Sequence, residues 1–538
     1  MKRPVNDSIV LTEPEANIRE VLVDYCNYYN TRDGVEEPLE LRITGGWVRD
    51  KLLGNESHDI DIAVNHLTGE EFAHNLHDYL LEREPELSMK AIHTIKKNPE
   101  KSKHLETCTT KLFGVDIDFV NLRSEEYTHE SRVPVIEFGS PEEDALRRDA
   151  TLNALFYNLN QNKIEDFTGK GLEDLHHGLL RTPLPPLQTF LDDPLRIIRL
   201  IRFASKYNFI LEPRTLSAMK DKQSQVALST KISKERIEIE LRKVLTSKNA
   251  GYGLQLINYT GLAPFIFHVA SMEKIFNKEQ IDACRAKIPD QITLATIAYS
   301  NLKHFILGET RKLKHALADL IISEDHMNIF WLAIILQPYA AIRPSRLITA
   351  IGTFMKDGLK SKRLDIVRVQ TIATAYSHET DVLSRFFKDP ESIKRSELGL
   401  YLRQFGDYTE VNLMACCMLD CIYELKSVFH IPEELPVPYP EHSKDLYENK
   451  EINEVIHKIV LNYEKLFKRI EELELKDVHL VKPLIDGTTL SKYLGLKPGP
   501  WLKDITDDIL IWQLDNKEAG KDECLEYVDS VAQTYNPL

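Results

Sequence analysis

No Cys-x-x-Cys pair occurs among the seven cysteines (Cys26, Cys108, Cys284, Cys416, Cys417, Cys421 and Cys524), and no histidine cluster accompanies them at zinc-ligand spacing. That excludes a zinc ribbon and makes a reducing compartment the natural reading. Cys417 and Cys421 stand one helical turn apart in an apolar segment and read as core thiols. Long hydrophobic runs are missing too: nothing approaches the roughly 18 apolar residues that cross a bilayer, and the longest stretch, 329–336, reads as a buried helix. The opening Met1-Lys-Arg-Pro-Val-Asn-Asp7 has no apolar signal region, and Asp7, Glu13 and Glu15 make a poor transit peptide. Cytosol or nucleus is the expected location, with mitochondria reached only through a longer upstream-start form. Positive charge is also scarce. The formal net charge of -15 argues against indiscriminate nucleic-acid binding, whose affinity comes mainly from cations that neutralise phosphates. A local exception lies in 191–245, with 12 Lys and Arg against 7 Asp and Glu, although a solvated helical face would explain that surplus as well.

What is present is chain enough for roughly three or four domains of about 150 residues. Between 35 and 154, β-like runs (41–44, 59–64, 112–122) mix with helical stretches, whereas nearly everything after about Leu191 has helical periodicity. The expected class is therefore α+β, an α/β head followed by an all-α remainder. Thr182-Pro-Leu-Pro-Pro-Leu187 marks the approach to the first long helix, and Ile431-Pro-Glu-Glu-Leu-Pro-Val-Pro-Tyr-Pro440, within a break at 430–443, cannot be helical throughout. No repeat of solenoid type is visible.

The chemistry concentrates in Ile43-Thr-Gly-Gly-Trp-Val-Arg-Asp-Lys-Leu-Leu53 and the following His58-Asp-Ile-Asp-Ile-Ala-Val64. Gly45 and Gly46 lie between a short strand and a helix, where bare backbone N–H groups and the helix dipole can hold an anion such as a triphosphate. Asp59 and Asp61 alternate on a strand, so both carboxylates emerge on one face. They repel each other unless a divalent cation sits there, and oxygen ligands of this hardness favour Mg²⁺. Asp116 and Asp118 form a second same-face pair; Asp118 is the preferred residue to complete a metal site, with solvent-facing aspartates as the alternative.

In Arg147-Arg-Asp-Ala-Thr-Leu-Asn153 a helix would point adjacent arginines about 100 degrees apart, so only one faces a phosphate. Asp149 and Asn153 then share a face, suited to a ribose edge or to each other. Asp192-Asp-Pro-Leu-Arg-Ile-Ile-Arg-Leu-Ile-Arg-Phe-Ala204 opens a helix with acidic capping residues and Pro194 in its first turn. Arg196, Arg199 and Arg202 recur every third residue, either as a stripe exposed to water or as part of a site. Asp193 and Arg196 offer an acceptor beside a planar fork of donors. Cytosine and adenine each present an amino donor next to a ring-nitrogen acceptor, which matches such a pair. Uracil and guanine present a keto oxygen and an N–H, which do not, and each unpaired buried group costs roughly 1–3 kcal/mol.

At these stations the chain resembles the class II tRNA nucleotidyltransferases, the CCA-adding enzymes, and over its whole length most resembles the fungal form. The motif likeness is strong over 41–245 and returns at Lys482-Pro-Leu-Ile-Asp-Gly487 and Leu494-Gly-Leu-Lys-Pro-Gly-Pro-Trp501; 250–439 matches only as generic helix. The resemblance implies a nucleotidyltransferase-type head (1–165), a neck for base recognition (166–248), a helical body (249–440) and a helical tail (441–538), the last two binding tRNA through its acceptor and T arms. It implies sequential transfer of CMP, CMP and AMP from CTP and ATP, without a template strand and with two Mg²⁺ ions. Asp59 and Asp61 become the metal ligands, with Asp118 as a further catalytic carboxylate. Gly46, Arg49 and Arg148 take the triphosphate; Asp193 and Arg196 become the amino-acid template, with Arg199 and Arg202 as further nucleotide contacts. Asp166 and Gly169 match a hinge element, and 232–245 the last neck motif, read as structural. Asp192 departs from the glutamate of many bacterial members.

A bacterial-type poly(A) polymerase shares the head and neck motifs but usually carries a basic segment that Lys96-Lys-Asn-Pro-Glu-Lys-Ser-Lys-His-Leu-Glu-Thr107 lacks. An inactive tRNA-binding protein on the same fold would be expected to lose a metal or template residue, and Asp59, Asp61, Asp193 and Arg196 are all present. The polar segment 65–112 is expected to move near the site, and 494–501 either presents helix-terminal amides to a phosphate or simply starts a helix on a core tryptophan.

Overall fold

Residues 5–6, 8–57, 59–84, 86–87, 90–95, 107–128, 131–345, 348–376, 382–440 and 449–535 are described by the computed structural model. His58, residues 96–106 and residues 441–443 therefore lie outside the described residues, and with them part of the metal motif, of the expected mobile element and of the 430–443 break. The chain divides into two compact units, Met1–Asn249 with Tyr259–Ile266, and Ala250–Asn258 with Phe267–Leu538. The expected head and neck fall in the first unit, which also takes Asn249 and Tyr259–Ile266 from the expected body; the rest of the body and the tail fall in the second.

The first unit contains a sheet whose central strands are buried almost throughout, with period-two burial on Thr107–Leu112 and Val115–Asn121. Its strands are β1 (Leu41–Thr44), β2 (Ile60–Val64), β3 (Lys90–Ile95), β4 (Thr107–Leu112), β5 (Val115–Asn121), β8 (Phe156–Asn158) and β9 (Lys163–Glu165). They lie in the order β3-β4-β5-β2-β1-β8-β9. β2 and β5 run parallel and the other neighbours antiparallel. This register sets Asp61 opposite Asp118 on β5 and opposite Thr44 on β1. Strands β6 (Arg123–Thr128) and β7 (Ser131–Phe138) form a separate antiparallel pair. Helices α1 (Glu13–Asn30) and α3 (Gly69–Arg83) bury an aromatic ladder against the sheet, Tyr25 to Phe72 at 5.4 Å and Phe72 to Phe119 at 4.8 Å between ring centroids. Rings in edge and tilted contact both bury area and fix the helix register. The short α2 (Gly46–Leu52) and α4 (Pro141–Leu146) frame the strand ends.

Beyond β9 the unit is helical except for two two-residue strands. Its helices are α5 (Gly171–His177), α6 (Pro186–Asp192), α7 (Leu195–Tyr207), α8 (Pro213–Lys220), α9 (Lys222–Lys231) and α10 (Lys234–Leu245), with the short helix Ala263–Ile266 added from further along the chain. α7 buries Ile197, Ile198, Leu200, Ile201 and Ala204 on one side, and α10 packs along it. The α+β reading, an α/β head followed by helices, is what the chain adopts.

The second unit is helical among the described residues. The apolar stretch 329–336 forms the buried end of helix Glu324–Ile335, and Cys417 and Cys421 are free, buried thiols of helix Thr409–Val428. Helix Lys450–Glu472 packs on both Thr409–Val428 and Lys278–Glu309. Its Glu464 carboxylate accepts from the backbone N–H groups of Arg311 at 3.2 Å, Lys312 at 3.1 Å and Leu313 at 3.0 Å, capping helix Lys312–Ile322 from a distant part of the chain. Arg403 donates in the same spirit to the carbonyls of Val478 and Val481, at 2.7 and 2.6 Å. Among the described residues no helix is long and apolar enough to cross a membrane.

Candidate active site

The sheet register brings the acidic residues together. Asp61 and Asp118 are partly buried neighbours on the parallel pair β2 and β5, whereas Asp116 is exposed and bound to Lys111 at 3.2 Å. That favours Asp118 over Asp116 as the third carboxylate. Its Oδ1 accepts from the Thr109 hydroxyl at 2.5 Å. Asp59 is not on the strand, as alternation suggested, but is the exposed residue immediately ahead of it. Burial, with Asp118 and Asp59 nearby and only Arg148 opposing, pushes the Asp61 carboxyl up to about 6. Among the described residues no three His, Cys, Asp or Glu side chains are yet gathered closely enough to hold a metal ion. The donor chemistry nonetheless fits a hard divalent cation, because crowded carboxylates with raised proton affinity are what such an ion relieves.

Gly45 is the N-cap of α2 at φ +78°, a conformation L side chains rarely adopt, and a Cβ there would touch Asp61 Oδ2 at 3.6 Å and Arg148 Nη1 at 3.7 Å. At Gly46 a Cβ would come within 3.0 Å of the Arg49 guanidinium. The two glycines thus leave room for the cations that frame an anion.

The Arg-Arg-Asp segment departs from expectation. α4 ends at Leu146, and Arg147, Arg148 and Asp149 form a turn before a short 3₁₀ turn, Thr151–Asn153. The turn still divides the two arginines. Arg147 meets Asp144 at 2.5 Å and Glu125 at 3.2 Å; Arg148 bridges Asp144 at 2.7 Å to the Thr44 hydroxyl at 2.7 Å, beside Gly45. Burial alone would raise the Asp144 carboxyl, but Arg148 and Arg147 outweigh it and hold it at about 2. Asp149 and Asn153 bond each other at 2.9 Å, and Asn153 also accepts from Arg49 at 2.5 Å.

Asp192 ends α6 rather than capping α7; it is Asp193 whose Oδ1 accepts from the Leu195 N–H at 3.2 Å. The arginines of α7 do not form a water-facing stripe. Arg196 is buried and donates to the Arg147 carbonyl at 2.7 Å, Arg199 meets Asp149 at 2.7 Å, and Arg202 lies 2.9 Å from Glu240 of α10. Burial opposes ionisation of Asp149, yet Arg199 and the Asn153 hydrogen bond keep it well below the usual carboxylate range. Arg49 packs over the rings of Tyr207 at 4.7 Å and Phe203 at 5.2 Å.

These groups surround one cavity of about 460 Å³ whose wall includes Gly45, Gly46, Arg49, Arg148, Asp149 and Asn153 on one side and Asp193, Arg196, Arg199 and Arg202 on the other. Asp59, Asp61 and Asp118 are not in its wall; they stand beyond Gly45. The wall also contains Arg123, Glu125, Phe203, Lys206, Tyr207 and Arg236, which motif reading missed. Lys206 and Tyr207 continue the α7 face and were reachable from its periodicity; Glu125 and Arg236 come from other elements and carried no local signal.

Asp166 and Gly169 form a tight turn, Gly169 N–H to the Asp166 carbonyl at 3.2 Å with Gly169 at φ +62°. In the stretch 494–501, Gly495 closes one helix and Pro500 opens the next, Trp501–Asp515; Trp501 is buried and its indole donates to the Lys497 carbonyl at 3.0 Å.

A family model described as Poly A polymerase head domain matches residues 41–181, and one described as Probable RNA and SrmB- binding site of polymerase A matches residues 208–272. The CCA tRNA nucleotidyltransferase, mitochondrial, of Candida glabrata is 40% identical over 544 residues, covering 98% of this chain and 97% of that protein. The protein of the same name from Saccharomyces cerevisiae is 41% identical over 547 residues, covering 98% and 94%. Among solved structures, Bacillus stearothermophilus CCA-adding enzyme in complex with CTP shares the fold, with a TM-score of 0.59 at 19% identity and coverage of 97% and 100%.

Proposed function

Because the chain belongs to the CCA tRNA nucleotidyltransferase family, we infer that it completes the 3′ end of tRNA, transferring CMP, CMP and AMP in turn from CTP and ATP with release of pyrophosphate. The observation that carries this reading is the single cavity in which Gly45, Gly46, Arg49 and Arg148 face Asp193 and Arg196. A triphosphate fits the first group and a base the second.

In the reaction the tRNA 3′ oxygen bonds to the α-phosphorus as the bond to the pyrophosphate oxygen breaks. Arg148 and Arg49, with the backbone N–H groups at Gly45 and Gly46, hold the triphosphate, while Asp149 and Asn153 fix Arg199 and Arg49 in the wall. Asp193 accepts from the amino group of cytosine or adenine and Arg196 donates to its ring nitrogen. Arg199 and Arg202 extend the nucleotide contact along α7. Catalysis is then mostly positioning and charge stabilisation.

Nucleotidyltransferases of this kind use divalent metal ions. Asp59 and Asp61 would hold two Mg²⁺ ions, with Asp118 as the completing carboxylate; when bound, they supply activation of the attacking hydroxyl and neutralisation of the departing charge.

The division into head, neck, body and tail at 165/166, 248/249 and 440/441 is kept as a functional one, with body and tail gripping the acceptor and T arms of tRNA by shape and phosphate. Two relatives are named mitochondrial; service of mitochondria as well as cytosol and nucleus is proposed, and fractionation of a tagged chain tests it. Likeness over the whole chain to CCA enzymes displaces the poly(A) polymerase reading.

The deciding experiment is incorporation of labelled CTP and ATP into tRNA ending at the discriminator base. Products lengthened by three nucleotides and then stopping support the reading. No incorporation, with tRNA bound, leaves the inactive tRNA-binding protein; long adenylate tails restore the polymerase.

A further inference from the structure

Of the two side chains assigned to base reading, Arg196 lies in the first turn of α7 and Asp193 just ahead of that helix, and each meets a charge delivered from elsewhere. Arg196 Nη2 lies 3.7 Å from Glu125 Oε2, and Asp193 Oδ2 lies 3.7 Å from Arg236 Nη2. Glu125 belongs to the β6–β7 pair and Arg236 to the first turn of α10. The Glu125 side chain is only 4% exposed and also meets Arg123 at 3.0 Å and Arg147 at 3.2 Å. The carbonyl of Arg147 in turn accepts from Arg196. All of these residues border the same cavity.

We propose that Glu125 and Arg236 are positioning residues that aim the base-reading pair, Glu125 orienting the Arg196 guanidinium and Arg236 the Asp193 carboxylate. The inference rests on the base-reading role given to that pair above. Selection between bases depends on direction as much as on charge. A guanidinium free to swing could turn a different edge of its fork toward the keto oxygen of uracil, and the penalty for the wrong base would shrink. A tether anchored on a different element removes that freedom. At 3.7 Å each contact is an ion pair without the alignment of a hydrogen bond, so it fixes direction while leaving the play needed to accept both a pyrimidine and a purine. Glu125 suits the task because it is itself held by Arg123 and Arg147. A purely structural Glu125 would merely balance those arginines, and its loss would slow all nucleotides alike.

The test is single-turnover incorporation of each of the four nucleotides onto tRNA ending at the discriminator base, by wild type, Glu125→Gln, Glu125→Asp, Arg236→Gln, Arg196→Ala and the double variant Glu125→Gln/Arg196→Ala. Glu125→Gln and Arg236→Gln should each lower the CTP to UTP ratio of kcat/KM by roughly three- to tenfold, in the lower part of the range for residues coupled by contact. Glu125→Asp should recover part of it. In the double variant the ratio should equal that of Arg196→Ala, because Glu125 acts through Arg196. Unchanged ratios in both tether variants, with Arg196→Ala relaxed, overturn the positioning role alone. Unchanged ratios in Arg196→Ala overturn the base-reading role and the tethers with it. Should Glu125→Gln fail to fold, Arg236→Gln, at a residue more open to solvent, carries the same decision.

Discussion

Gly45 separates two regions of opposite completeness. Beyond it Asp59, Asp61 and Asp118 form an acidic edge where Asp61 is pushed up to about 6 and Arg148 alone opposes its like-charged neighbours. On the other side each arginine of the α7 face already meets an acid, Arg199 with Asp149, Arg202 with Glu240 and Arg196 with Glu125. On the function proposed above, the acidic edge would be completed by what binds, whereas the basic wall is completed by the fold. A wall whose charges are fixed before a nucleotide arrives would need little reorganisation when charge develops, whereas the acidic edge would keep its repulsion until a cation entered.

The comparison is broken most severely at the acidic edge. Asp59→Ala and Asp61→Ala should each abolish CMP and AMP addition, by roughly a thousandfold or more given the several kcal/mol that a metal contributes to transition-state stabilisation, without loss of fold. Mg²⁺ should raise the melting temperature of the wild type and not of Asp61→Asn. Unimpaired incorporation by either alanine variant in Mg²⁺ buffer would remove these residues from catalysis.

At the basic wall the expected damage is to stability. Asp144→Asn leaves Arg147 and Arg148 without their shared anion and should cost about 3 kcal/mol in denaturant titration at pH 7. The sign with pH follows from a carboxyl held at about 2 against an ordinary 3.8. Its contribution is present in full above about pH 4 and is lost as pH falls toward 2, so the gap between wild type and variant should close over that window. A gap that stayed constant would point to packing instead of charge.

The smallest effect sharpens the contrast. In metal-free buffer CTP should still bind through the basic wall, and Asp61→Asn should bind it up to about twofold more tightly, since one repelling charge less is worth a few tenths of a kcal/mol near a hydrated site. Equilibrium titration measures it; a large loss of affinity would place Asp61 in the nucleotide pocket proper.

The acidic edge was partly legible because alternation on strands and a Gly-Gly turn are local patterns: spacing points to Asp61, Gly45, Gly46 and the pair Asp116 and Asp118, and only the fold separates half-buried Asp118 from exposed Asp116. So was the α7 face. What stayed hidden was pairing across the chain. Nothing near Glu125 announces Arg196, and nothing near Arg236 announces Asp193, because both contacts arise only when the β6–β7 pair and α10 fold against α7. The Arg-Arg-Asp turn was misread for a related reason. Its residues suit a helix, but Arg147 also meets Glu125 of β6 and Arg148 the Thr44 hydroxyl of β1, tertiary pairings that override propensity. Asp59 fell just outside its strand, within the usual uncertainty of element ends.

Glu464 capping a helix whose first residues are Arg311 to Leu313 has a practical meaning for anyone who recombines such enzymes. A chimera joined in the linker after helix Thr409–Val428 imports a foreign cap along with its C-terminal part, and the receiving helix inherits orphaned amides unless the donor brings a carboxylate at the same place. Segment exchange among such proteins should therefore depend on that acid as well as on the Arg403 contacts to Val478 and Val481, which cross the same junction, and a junction moved upstream of Arg311, so that cap and capped helix travel together, is the cut to prefer.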